Sequence, residues 1–379
     1  MPDGNAAAQR VMGNAKAFRD LGYDTFFVGL SKDKESCNVV GEYEGFKYTN
    51  FNYPESSKDW FSYLTSIKQY NKYLEKQPAI VIAYNFPSIA LNRLRKWCYK
   101  KKINIISDCT EWYEANGNIL FKLIKGFDTT YRMKYVHPKL DGIIAISNYL
   151  YEYYNEKTQN VIMVPPLVDL SMDKWNSNKL DFQINVSEKL SIIYAGSPGS
   201  GNKDRLDLVL NVLSQLKDEG IDNFSFSVIG LTESQYNSSF GTFVPSNISN
   251  DVIFKGRLSH KMTLNEIKKA HFNLFLRNDN LANNAGFPTK FVESISCGTP
   301  VLTNSTSNIR EFIVEGKNGF LISDNSFQTI KETLSKAIRL SRDEITEMKK
   351  WCVNSRIFHY KEFTSKFSIL IHRLSENKV

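Results

Sequence analysis

The sequence predicts two α/β domains, each built on a doubly wound parallel sheet, and three observations carry that prediction. At 379 residues the chain is long enough for two domains of about 150 to 200 residues with separate cores. Short apolar runs alternate with helical segments in both halves, the pattern of parallel strands joined by crossover helices. Pro165-Pro166 stiffens a junction, which puts the boundary near Leu167.

Composition narrows the class. A hydrophobic content of 42% and a charged content of 23% are those of a soluble globular protein. No apolar run approaches the roughly 20 residues of a membrane helix, and the first residues, MPDGNAAAQR, lack a signal peptide's apolar segment. A cytosolic location is expected. Cys37, Cys98, Cys109, Cys297 and Cys352 are scattered without metal spacing, and their odd number argues against a disulfide framework. The net charge of +8 is unevenly spread: 22 basic and 17 acidic residues lie up to Leu167, against 48 and 40 in the whole chain. Six cations stand without an acid in RLRKWCYKKK, Arg93 to Lys102. Such a run suits an anionic surface or partner, with a solvated helix face as the ordinary alternative. Nucleic-acid binding is not expected, because +8 is modest for this size and no known module is present.

In chain order, Asn5 to Leu21 carries Ala8, Val11, Met12, Ala15 and Phe18 on one stripe, and Gly22 ends this helix. Asp24 to Leu30 follows as a buried strand. A doubly wound sheet would place another strand before the helix, yet only Met1, Pro2 and Asp3 precede the Gly4-Asn5 turn, so the true start is expected upstream. Next come a hairpin around Val39 to Phe51 and a helix from Ser57 to about Glu75 that buries Trp60, Leu64, Ile67 and Leu74. Ala79 to Tyr84 is a strand, Ser88 to about Lys101 a helix with Arg93, Lys96 and Lys100 on one face, and Ile103 to Ser107 a buried strand. Asp108 and Glu111 follow at its carboxyl end, where open α/β sheets bind ligands; capping of the next helix is their other reading. Asn118 to Val136 mixes apolar residues with Lys122, Lys125, Arg132 and Lys134, which fits either a half-buried helix pair or a segment lying on an anionic bilayer. His137 has no partner spacing that suggests a metal or a catalytic triad. Asp141 to Ile146 is a strand, and Ser147-Asn148 caps a tyrosine-rich helix.

In the second half Leu190 to Ala195, Phe224 to Gly230, Asp251 to Gly256 and Phe272 to Leu276 are short strands of one parallel sheet. The loop from Gly196 to Gly201 lets the backbone approach a phosphate, with Lys203 in reach of its oxygens. Residues Gly286 to Pro300 read GFPTKFVESISCGTP. A helix starts at about Pro288, and its first turns carry Lys290 and Glu293 toward free N–H groups and positive dipole that suit a diphosphate. The carboxylate of Glu293 can accept two hydrogen bonds from neighbouring hydroxyls, as a ribose offers; a buried helix with Glu and Lys facing solvent is the bland alternative. After Ile322 the chain reads as helical, with Trp351, Phe358, Tyr360, Phe363, Phe367, Ile371 and Leu374 spaced for burial.

Phe287 to Pro300, the following VLTN and NIREFIVEGKNGFLI from Asn308 to Ile322 resemble the donor site of glycosyltransferase family 4, the retaining nucleotide-sugar enzymes of the GT-B fold. AISNYL and VPPLVD resemble that family's passage out of its first domain. The resemblance implies an acceptor-side domain over residues 1–167, a nucleotide-sugar-binding domain over 168–357 and a helix over 358–379 that braces the first domain. It implies that Glu293 grips the donor ribose. The family's other motif glutamate is replaced by Ala285, so Asn284 and its neighbour Asn283 become the candidates for the sugar. Gly4 and Gly196 are implied to lie beside the donor phosphates. Lys203 matches the family's clamp lysine, whereas Ser197 replaces its arginine, leaving Lys290, Arg277 or Arg257 to supply that charge. Asp108 and Glu111 are implied to orient the acceptor hydroxyl. The implied activity is hexosyl transfer from a nucleoside diphosphate sugar to a glycan or lipid-linked acceptor in cell-surface polysaccharide biosynthesis. Peripheral docking onto an anionic inner membrane leaflet is suggested separately, by the two basic clusters Arg93 to Lys102 and Asn118 to Val136. The donor is a substrate, and neither cofactor nor metal is expected. A catalytically silent partner subunit of the same fold, prompted by Ala285 and Ser197, and a nucleotide-sugar epimerase are the alternatives.

Overall fold

A computed structural model describes residues 5–113, 118–175, 189–197 and 203–376. The chain divides into two compact units, Met1–Leu167 with Ala285–Phe287 and Tyr360–Val379, and Val168–Asn284 with Pro288–His359.

The first unit opens with α1 (Ala6–Asp20), whose N-cap Asn5 accepts the Ala8 N–H at 2.9 Å. Strands β1 (Phe26–Ser31), β2 (Val40–Tyr43) and β3 (Phe46–Asn52) form a three-stranded sheet in the order β1-β3-β2. The expected hairpin is the antiparallel β2–β3 pair. The strand expected to be buried is instead an edge with Phe26 exposed, because its neighbour on one side is β3 and none is present on the other among the described residues. The helix expected from Ser57 to Glu75 is broken into α2 (Ser57–Thr65) and the short α3 (Asn71–Leu74). Thr65 and Ser66 cause the break. Thr65 Oγ1 donates to Phe61 O at 2.8 Å and Ser66 Oγ accepts the Lys68 N–H at 3.2 Å, alternatives to the helical ladder that hydroxyl side chains offer. Of the four side chains expected inside, only Leu74 is buried.

Strands β4 (Ile80–Tyr84), β5 (Asn104–Cys109), β6 (Gly142–Ala145) and β7 (Val161–Met163) make a second, wholly parallel sheet in that order. The crossovers are α4 (Ser88–Lys101), α5 (Ile119–Tyr131), which runs on through a π turn at Arg132–Val136, and α6 (Asn148–Asn155). Leu91, Leu94 and Cys98 of α4 close over Ile105 with Val136 and Leu140. His137 is buried between Ser107 Oγ at 3.0 Å and Tyr154 OH at 2.8 Å, and burial holds its ring well below the usual histidine range. It is a core group.

The second unit holds β8 (Leu190–Ala195), α7 (Leu206–Asp218), β9 (Phe224–Ile229), α8 (Glu233–Phe240), β10 (Val252–Gly256) and α9 (His260–Lys269). It continues through β11 (Phe272–Phe275), α10 (Leu281–Ala285), α11 (Thr289–Ser296), β12 (Val301–Asn304), β13 (Gly319–Ile322), α12 (Phe327–Ile338) and α13 (Arg342–Ser355). All six strands lie in one parallel sheet ordered β10-β9-β8-β11-β12-β13. The strand order therefore reverses between β8 and β11. In open α/β sheets that reversal leaves a crevice at the carboxyl ends of the two strands, because their crossovers leave to opposite sides.

The last helix, α14 (Thr364–Glu376), packs within the first unit against α1 and β7. Phe367 meets Phe18 of α1 edge-on at 5.1 Å, and Leu370 rather than Ile371 shares its buried face.

Candidate donor site

The β8/β11 switch point is built for close approach. Gly196 follows β8 at φ 155° and donates its N–H to Ile229 O at 3.0 Å. Gly230 follows β9 at φ 105°, and a Cβ there would stand 2.1 Å from the Gly196 carbonyl oxygen. Neither glycine can acquire a side chain without moving the loop. A Cβ on Gly196 would also meet the Lys290 Nζ at 3.0 Å, so this backbone and that ammonium share one spot.

A buried charge cluster fills the crevice floor. Asp204 is 2% exposed. Its Oδ2 accepts from Tyr194 OH at 2.7 Å and pairs with the Lys290 ammonium. Its Oδ1 is buried without a hydrogen-bond partner, with Arg277 Nε 3.9 Å away. Arg277 is itself buried and turned onto Asn283 Oδ1 at 2.7 Å. The Lys290 ammonium also lies 4.6 Å from the Tyr194 ring and 5.5 Å from that of Phe275. Burial alone would push the Asp204 carboxyl up, but Lys290, Tyr194 and Arg277 together hold it below the usual carboxylate range. Two cations thus face one carboxylate. With Glu293 the second acid near Lys290, these two cations at the amino end of α11 are what an anion entering the crevice would meet.

Lys290 and Arg277 are thereby brought together beside Gly196. Lys203 is exposed on the adjoining loop, its carbonyl accepting the Asn278 N–H at 3.4 Å. Glu293 stands one turn beyond Lys290, and its Oε1 accepts from His260 Nε2 at 3.1 Å. Trp175 packs edge-on against that imidazole at 6.3 Å. Asn284 donates to Asp279 Oδ1 at 2.6 Å and accepts the Ser307 N–H at 2.9 Å, so both ends of its amide tie down loop structure. Ala285 is fully buried, with its carbonyl accepting from Ser147 Oγ at 2.8 Å. Arg257 is exposed. Gly4 and the loop residues Pro198 to Gly201 lie outside the described residues.

In the first unit Asp108 is 1% exposed and saturated. Arg10 reaches Oδ1 with Nη2 at 2.7 Å and Nε at 2.9 Å, and Asn14 Nδ2 reaches Oδ2 at 3.0 Å. The carboxylate ties α1 to the end of β5 and presents no open lone pair to a hydroxyl. Glu111 is half-exposed near Tyr113, whose phenol is pushed well above its ordinary value by burial and then by Glu111. Tyr194, Asp204 and His260 escaped sequence reasoning. Tyr194 reads as one more apolar strand residue, and nothing in the spacing says that Asp204 turns inward while its neighbour Lys203 turns out.

Residues 179–352 match the family model for glycosyl transferases group 1. An uncharacterized glycosyltransferase of Methanocaldococcus jannaschii is 24% identical over 287 residues, covering 75% of this chain and 70% of that protein. Among solved structures, Anabaena HepE in complex with UDP-glucose aligns at TM-score 0.63 and 14% identity, covering 98% of this chain and 96% of that one. A glycosyltransferase from Rickettsia africae aligns at 0.66 and 15%, covering 99% and 96%. The chain has the GT-B fold. With the group 1 match over the second unit's sheet, the likenesses support a glycosyltransferase. Among the described residues, no helix is long and apolar enough to cross a membrane.

Proposed function

We propose that this chain is a retaining transferase of the family 4 kind that moves a hexose from a nucleoside diphosphate sugar to a glycan or lipid-linked acceptor. The observation that carries this reading is the pairing of two cations, the half-buried Lys290 and the buried Arg277, with one carboxylate at the switch point. As the bond from the anomeric carbon to the diphosphate breaks, its electron pair and charge pass to the leaving group. The acceptor oxygen bonds that carbon, and its proton passes to the oxygen of the departing diphosphate. Lys290, Arg277, Lys203 and the Gly196 backbone receive the developing charge, a preorganised arrangement that stabilises the transition state more than the bound donor. Glu293 holds the ribose hydroxyls, and Asn284 reaches the sugar, in place of the acid absent at Ala285, by giving up its amide hydrogen bonds to Asp279 and Ser307. On the acceptor side Glu111 orients the attacking hydroxyl, while Asp108 fixes the strand end that presents it.

HepE was solved with UDP and with UDP-glucose, and another neighbour, WaaB, is a lipopolysaccharide outer core galactosyltransferase. These likenesses favour a uridine donor and a role in cell-surface polysaccharide assembly. Thermal unfolding with each common nucleoside diphosphate tests the donor reading. A nucleotide at about 100 times its dissociation constant stabilises by about 2.7 kcal/mol. One nucleotide should raise the midpoint, and Glu293→Ala should abolish the rise. No rise with any nucleotide would point to the silent partner subunit instead.

A further inference from the structure

Helix α5 exposes what a folded chain usually hides. Ile119 is 79% exposed, Phe121 52%, Leu123 66%, Ile124 50% and Phe127 58%, all within 13 residues. Ile119, Leu123 and Phe127 follow one another at four-residue spacing and form one line along the helix, which Ile124 widens; Phe121 is exposed farther round the helix. Such an apolar face on one surface helix marks a place where something other than water belongs.

The charges around it say what. Lys122 and Lys134 are exposed, and Tyr135 beside them is 56% exposed. The one acid between Ile119 and Val136 is Asp128. It is turned inward, accepting the Ser88 N–H at 2.7 Å and a bond from Arg132 at 3.4 Å. The neighbouring α4 packs against both α5 and α2, has no acid in its sequence, and exposes Lys96, Tyr99, Lys100 and Lys101. On α2, Phe61 is exposed as well. Protein interfaces deplete lysine, whereas a helix lying in a bilayer interface combines an apolar face with a lysine flank.

We propose that the exposed face of α5 docks the protein onto an anionic lipid bilayer. Leu123 and Phe127 enter the acyl boundary, and Lys122 and Lys134 stay at the headgroups. The proposal extends the reading of a membrane-borne acceptor given above, but its observations are independent of the donor site.

Sedimentation of the full chain with vesicles of phosphatidylcholine alone, and of phosphatidylcholine mixed with phosphatidylglycerol, tests it. The wild type should pellet with the anionic vesicles at low salt and be released as salt rises. L123E with F127E should weaken that binding about tenfold or more. K122E with K134E should weaken it by about fivefold or more per site on anionic vesicles, while preserving every apolar side chain. In both variants a nucleotide-induced rise in unfolding midpoint should persist, which certifies the fold. Loss of the nucleotide response in the wild type with vesicle binding intact would remove the donor reading and leave docking standing. Failure of the wild type to pellet, or pelleting of both variants as strong as that of the wild type, overturns docking. So does light scattering that shows a dimer broken by L123E with F127E, which would assign this face to a second copy of the chain.

Discussion

Two buried aspartates, one in each unit, occupy comparable surroundings and are balanced differently. Asp108 receives Arg10 and Asn14, which fill both carboxylate oxygens with one cation for one anion. Asp204 receives Tyr194 and Lys290 on a single oxygen, keeps the other without a hydrogen bond, and has a second cation, Arg277, at the edge of reach. A neutral, saturated pair has nothing left to offer a ligand. An over-supplied carboxylate with an orphan oxygen is poised to share its cations. Burial and charge therefore do not mark a site by themselves; the imbalance does.

The largest effect expected from this contrast is on stability. Arg10→Met strands a buried carboxylate, and breaking such a pair costs about 3–5 kcal/mol. The urea midpoint should fall accordingly, with any nucleotide response retained in the folded fraction. Lys290→Ala should do the reverse. Turnover should drop on the order of 10²–10³, as when one charge-stabilising donor is removed, while the urea midpoint falls less than for Arg10→Met because Arg277 and Tyr194 remain beside Asp204. Equal stability losses in the two variants would erase the distinction. A smaller effect follows from pH. Asp204 is held below its ordinary value, so its contribution is present above that value and is lost as pH falls through the lower folded one. Between about pH 5 and pH 3 the wild type should lose more of its thermal midpoint than Asp204→Asn.

The elements of the second unit were legible because most of its strands are short apolar runs beside a glycine and α8, α9, α12 and α13 start on a capping Ser or Thr. Glu293 and Lys290 could be picked out for the same reason: Pro288 fixes where α11 starts and hence which residues fall on its first turns. The first unit was less legible. Phe26 and Trp60 are aromatic and expected inside, yet burial depends on which neighbours a strand or helix acquires, and periodicity carries no record of that. Asp108 shows the same limit in a polar residue. Its place at a strand's carboxyl end is visible in the sequence, but Arg10, 98 residues away, decides that it is a structural anchor.

The pairing of Glu293 with His260 was invisible for the same reason, being an interaction across 33 residues between the starts of α9 and α11. A carboxylate can only accept, so the imidazole Nε2 must donate to Oε1. That bond fixes the carboxylate plane and leaves its remaining lone pairs directed away from the ring, while Trp175 limits how far the ring can turn. His260 is thus a positioning residue for the ribose contact proposed above. If it acts that way, His260→Ala should raise the dissociation constant for the bound nucleoside diphosphate about tenfold, the worth of one hydrogen bond to a charged group. The corresponding 2′,3′-dideoxy nucleotide, which offers Glu293 no ribose hydroxyl, should bind both proteins alike. His260→Gln, which keeps a donor, should recover most of the loss. Calorimetric titration of the two nucleotides separates this from mere loosening of α9, which would weaken both ligands equally and gain nothing from glutamine.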